Sequence, residues 1–233
     1  MTRRKAGLGG LALAVAMLLV TSAEAGERQG AAGEGKAACA AQAVRPLPAA
    51  RRALASFDNS AFPYDGINPA DGRSFLDYDK DGQRGHTSPR GSLLLEADTY
   101  SDRRSLLFLP RGLDLSRPDK ALIVVFFHGN LARLDADVVR RQRVPQQLAD
   151  SGLNAALVAP QLAVNAADSS AGNFWRPGFF RQYLAEAAER LAGLHGAPCT
   201  RALLDQLGVV VVAYSGGYNP AAVLTVALAP RPA

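Results

Sequence analysis

The chain has 233 residues, 48% hydrophobic and 20% charged, and its 26 Lys and Arg against 21 Asp and Glu give a net charge of +5. That balance excludes a disordered tail, a collagen-like repeat and a multi-span membrane protein. Two cysteines exclude a disulfide-dense miniprotein, and the mild basic excess contains no run of the kind that nucleic-acid binding needs.

Residues 1–25 read as a removable export signal. Arg3, Arg4 and Lys5 form a positive start, residues 8–20 an apolar stretch, and Thr21 to Ala25 a small-x-small cleavage pattern. Thirteen apolar residues fall short of the roughly 20 that a membrane span needs. Removal would leave 208 residues with a charge near +3, one domain of ordinary size in an exported, periplasmic or secreted setting. Cys39 and Cys199 remain in that product. A bridge between them would close a loop worth at most about 5 kcal/mol in chain entropy. Two free thiols are the alternative.

Residues 26–45 are rich in Gly, Ala and Glu and read as a mobile leader. Residues 46–90 carry closely spaced Pro, Gly, Asp and Asn, which predicts a loop-rich extension with one short helix over residues 49–57. Within it, Asp77, Asp79, Asp81 and Gly82 follow the first half of a calcium loop, but Ser88 stands where the closing Glu belongs. A solvated turn is the simpler reading. Residues 92–97 and 105–110 then read as two antiparallel strands around a turn at 100–103.

The pattern becomes regular from residue 121. Residues 121–127 (ALIVVFF), 155–159 (AALVA) and 208–213 (GVVVVA) are continuous apolar runs typical of strands buried on both faces. Helical patterns separate them, over residues 135–150 with a kink at Pro145, over 179–194, and over 221–229. Buried strands alternating with amphipathic helices imply an α/β fold, a mostly parallel sheet with helices on both faces. The domain proper would run from residue 91 to residue 233.

Chemistry is concentrated at two strand ends. Ala213-Tyr214-Ser215-Gly216-Gly217 places a serine between a buried strand and a helix, with small residues two positions to either side. This fits a nucleophile elbow, a sharp turn that exposes the hydroxyl beside the N–H groups of a helix N-terminus. His128-Gly129-Asn130 follows the first buried strand, where a loop can offer a further N–H to an oxyanion. In these two motifs and their order, residues 91–229 resemble the α/β-hydrolase superfamily, esterases and lipases among them. The resemblance implies Ser215 as nucleophile and the N–H groups of Asn130 and Gly216 as oxyanion donors, with His128 and Gly129 shaping the loop. It implies no cofactor or metal. The partner would be a small-molecule ester or acyl substrate, with Phe174 and Trp175 as candidate walls of an apolar pocket.

The same resemblance expects an acid and then a histidine after the nucleophile. The 16 residues after Gly217 contain no Asp, Glu or His. With the apolar run 209–212 otherwise forming an exposed edge, the expectation is a hydrolase lacking its later strands. His195 should lie at the opposite sheet edge, and His86 could reach the site only by an unusual loop path. His128 would be the remaining substitute base. A non-catalytic binding domain, or a serine peptidase of the same fold, are the alternative functions.

Overall fold

The structure is a computed structural model that describes residues 46–196 and 200–228, together with the backbone of 18–20. The expected leader 26–45 and both cysteines lie outside the described residues. Its centre is a six-stranded sheet of β1 (Leu18–Val20), β2 (Arg51–Ser56), β6 (Arg104–Leu109), β7 (Leu122–Phe127), β8 (Ala155–Pro160) and β9 (Gly208–Ala213). Their spatial order is β1-β9-β7-β8-β6-β2. A smaller antiparallel sheet comprises β3 (Tyr78–Lys80), β4 (Gln83–Thr87) and β5 (Leu93–Leu95).

The three continuous apolar runs form β7, β8 and β9 within a residue of their expected bounds. β7 is parallel to both neighbours, with Val125 opposite Val158 on one side and Val211 on the other. The alternation of side chains along these strands feeds two cores. Ile123, Val125, Phe127, Ala156, Val158 and Val211 face one core, and Val124, Phe126, Leu157 and Ala159 face the other.

Helices cover both faces. α3 (Phe179–His195) packs Phe180, Tyr183, Ala187 and Leu191 onto the first core. Leu134 and Val138 of a π-helix (Leu134–Arg141) and Leu148 of α2 (Val144–Asp150) close the second. Each fully buried Phe or Leu contributes about 1.5–3 kcal/mol by leaving water. α1 (Glu96–Thr99) and α4 (Thr200–Leu204) are single turns, and α5 (Tyr218–Leu228) follows β9. Among the described residues, no helix is long and apolar enough to cross a membrane.

Four expectations change. The sheet is mixed and not mostly parallel, because β6 runs antiparallel to both β2 and β8. The helix expected over 49–57 is β2, an edge strand whose six residues all pair with β6. Pairing overrides the helix propensity of its Arg, Ala and Leu. The hairpin expected from 92–97 and 105–110 does not form. Leu93–Leu95 joins the small sheet, and Tyr100 between the two segments is fully buried instead of turning in solvent. The helix expected over 135–150 divides at Arg143, which has φ 56°, and Pro145 sits in the first turn of α2, where its missing N–H has no partner to lose.

The loop-rich stretch after β2 is anchored. Phe57, Phe62, Tyr64 and Phe75 lie in the first core. Glu186 of α3 accepts the backbone N–H groups of Asp58 and Asn59 at 2.9 and 2.8 Å, plus the Asn59 carboxamide. Burial alone would raise the Glu186 pKa. These N–H donors and Arg190 outweigh it and hold the carboxyl below its usual value. At the far side, the backbone of β1 lies antiparallel along β9, Leu18 opposite Val211.

Candidate active site

β7 is where the chain reverses its direction across the sheet. β8 is added on one side of it and β9 on the other. At such a switch point the connections leave the strands' C-terminal ends in opposite directions, so a crevice opens between them. The loops after β7, β8 and β9 therefore meet at one edge. Phe127 is opposite Ala213 in the ladder, and the next N–H, that of Tyr214, still donates to Phe127 O at 2.9 Å. His128-Gly129 and Tyr214-Ser215 consequently emerge side by side.

Ser215 is exposed and has φ 51°, a left-handed conformation that costs a non-glycine residue about 1 kcal/mol or more. A tight turn at Ser215–Gly217 leads directly into α5. Two glycines permit this geometry. A Cβ on Gly129 would stand 2.9 Å from the Ser215 Cβ, and one on Gly217 would run into the carbonyl oxygens of Phe127 and His128. Gly216 abuts the Asn130 carboxamide just as closely. The backbone N–H groups of Asn130 and Gly216 donate to no other group among the described residues. Gly216 lies in the turn that enters α5, where such N–H groups are orphan donors.

The Asn130 loop is held by its neighbours. Its Oδ1 accepts the Ser169 hydroxyl at 3.0 Å, and the N–H of Leu131 donates to Ala166 O. His128 is 1% exposed and has both ring nitrogens engaged. Nδ1–H donates to Gly129 O at 2.8 Å, while Nε2 accepts the Leu162 N–H at 2.9 Å and faces the Gln161 carboxamide. Burial pushes its pKa down, so it is a neutral brace. With no lone pair left over, it cannot take the Ser215 proton, and the expected substitute base is closed off.

Beside Asn130 opens a cavity of about 640 Å³ that runs along Asn219 and Val223 of α5. Ser169, Asp168 and Trp175 form another wall, and His86 a third. Trp175 is among the residues that line the cavity. Phe174 is not: it is buried in the core, 5.7 Å from the ring of Phe127 and 5.3 Å from that of Tyr183. The 3-10 turn Gly172–Trp175 rotates the two aromatics to opposite sides.

Asp168 is no spare base either. Its Oδ2 accepts the Tyr100 hydroxyl at 2.7 Å and its Oδ1 the Ser170 hydroxyl at 2.8 Å. Burial and the Asp168 charge raise the Tyr100 pKa well above its usual value, so the phenol keeps its proton. The Asp77–Gly82 stretch forms a hairpin in which Asp81 and Gly82 both have positive φ, as a two-residue hairpin turn requires. Asp77 there accepts the Thr87 N–H at 2.7 Å. Among the described residues, no three His, Cys, Asp or Glu side chains gather closely enough to hold a metal ion.

His195 ends α3 at the opposite edge, where the Arg51 guanidinium donates to its carbonyl. Both of its ring nitrogens are buried without a partner, and burial and Arg51 lower its pKa. His86 was reachable from the sequence only through the Asp81-Gly82 hairpin signal, which carries it to the cavity. Comparison with family models, with curated proteins and with solved structures finds no match, so the site stands on its own geometry.

Proposed function

We propose that this chain is an exported serine hydrolase of the α/β-hydrolase type that cleaves carboxylic esters through an acyl-serine intermediate. The observation that carries the reading is Ser215 itself: exposed, in left-handed backbone, at the strand–helix turn beside the switch point. Ser215 Oγ attacks the ester carbonyl, and the N–H groups of Asn130 and Gly216 receive the negative charge that develops on its oxygen. The alkoxide leaves, and water then releases the acid. Trp175, Val223 and Ala222 offer the apolar surface for the acyl or aryl part, in a cavity of ordinary ligand size. The order of elements, an antiparallel pair followed by parallel strands with helices between them, supports the same reading. Export rests on the sequence of residues 1–25.

A ligand-binding domain is the competing reading. It is favoured by one observation: among the described residues, the Ser215 hydroxyl hydrogen-bonds no imidazole. A fluorophosphonate probe separates the two. Covalent labelling mapped to Ser215, and lost in Ser215→Ala, is the expected result. Equal labelling of wild type and variant, or none in wild type, overturns the hydrolase reading.

A further inference from the structure

The cavity beside Asn130 has an uneven supply of hydrogen-bonding groups. Its acceptors are largely spent inside the protein. Asn68 Oδ1 accepts the Ala70 N–H at 3.0 Å, and Asn130 Oδ1 accepts the Ser169 hydroxyl at 3.0 Å. Asp168 accepts the Tyr100 hydroxyl, the Ser170 hydroxyl and the Ser170 N–H. The donors on the same wall are left over. The carboxamide NH2 groups of Asn68, Asn130 and Asn219 reach no acceptor among the described residues, and neither does the exposed Arg90 guanidinium. Side-chain acceptors remain on His86, Asn219 and the serine hydroxyls, none of them an anion. The backbone that carries Arg90 is fixed in a turn, with the Gly91 N–H on Ser88 O and the Ser88 N–H on Ser92 O, both at 2.8 Å. Apolar surface comes from Ala222 and Val223 of α5 and from Trp175, whose ring is held by those of Tyr64 and Phe75 at 5.4 and 5.7 Å.

We infer that this cavity binds a small organic acid, its carboxylate held by Arg90 and the carboxamide donors and its apolar body against Trp175, Ala222 and Val223. A guanidinium without a counterion offers a carboxylate two parallel N–H bonds in the geometry that the anion prefers. Carboxamide NH2 groups beside it satisfy further lone pairs without adding a competing negative charge. A cationic ligand would meet Arg90 as a like charge. Asp168 is the one carboxylate on the wall, and its charge excludes a second anion from its own corner. A volume of about 640 Å³ suits a ligand of modest size. The inference needs no reaction at Ser215, which does not line the cavity, and holds equally for a binding domain. Under the hydrolase reading, the acid released by ester cleavage belongs to the same chemical class.

Trp175 is the only tryptophan of the chain, so its fluorescence reports on the cavity wall. The experiment titrates the full chain with phenylacetate and with hexanoate, each set against its own neutral amide. A saturable fluorescence change is expected with the acids, at an affinity about tenfold or more above that of the amides. Arg90→Gln is expected to bring each acid down to the level of its amide. Arg111→Gln, at a residue that lines a separate groove, is expected to leave the affinity for the acids within about twofold of wild type. Acid and amide binding within about twofold of each other in wild type, or Arg90→Gln binding the acids as wild type does, overturns the inference. So does the absence of saturation with either acid up to about 10 mM. The comparison of acid with amide in wild type does not depend on how the variants fold. No acyl transfer is involved in any of these readings. A failure here therefore leaves the labelling of Ser215 to decide the hydrolase reading, and a failure of labelling leaves the binding result standing.

Discussion

His128 and His86 are both nearly buried and both sit at the C-terminal edge of the sheet, yet their surroundings ask opposite things of them. The loops after β7 and β8 surround His128 with the Gly129 carbonyl, the Leu162 N–H and the Gln161 carboxamide, so every polar atom of the ring is satisfied. The small sheet satisfies only Nδ1 of His86 and leaves Nε2 bare. Burial alone therefore does not separate a saturated imidazole from one with a nitrogen to spare. The number of hydrogen bonds each ring makes does.

That contrast can be broken in order of expected effect. Gly217→Val should act first on the braced side, because its side chain would collide with the Phe127 and His128 carbonyls. A loss of about 3 kcal/mol is expected in urea unfolding. A variant as stable as wild type would mean that α5 does not lie that close to β7. His128→Ala should cost about 2 kcal/mol, since it strands the Leu162 N–H in the interior. His86→Gln should cost less than about 1 kcal/mol, losing one hydrogen bond at a cavity wall. If these two were reversed in urea, the distinction between the two rings would fall.

Acid sharpens the same comparison. His128 and His195 have pKa values pushed below the ordinary 6.5, so the unfolded chain binds their protons first. Stability is then complete above that value and falls as pH drops through it. Glu186 adds a second loss below the ordinary 4.5, because its folded carboxyl resists protonation. A urea midpoint that stays level from pH 8 to pH 4 would sink this account. Glu186→Gln is expected to cost about 1 kcal/mol at neutral pH, with a shallower decline below pH 4.5.

Part of this site is legible along the chain. Ser215, Gly216, Gly129 and Asn130 are adjacent because two strand ends are adjacent, and the strand runs are apolar enough to identify those ends. His86 is less legible. The Asp81-Gly82 turn announces a hairpin, but nothing local says where that hairpin docks. Phe75, Tyr100 and Trp175 decide its docking through ring contacts that link distant parts of the chain. Phe174 and Trp175 make the same point at closer range. They are neighbours of equal apolar character, and only the turn that carries them sends one to the core and the other to the cavity.

Three buried strands, the helix between the second and third, and the serine turn that ends the last follow from the local pattern of the chain. Each is specified by local periodicity or by steric demands within a few residues. Tertiary structure alone decided that residues 51–56 become a strand, that the sheet is mixed, and that the loop-rich segment delivers an imidazole to the cavity. The physical reason is the same in all three cases. A weak local preference yields to partners far away in the chain, whose hydrogen-bond ladder or apolar surface outweighs it.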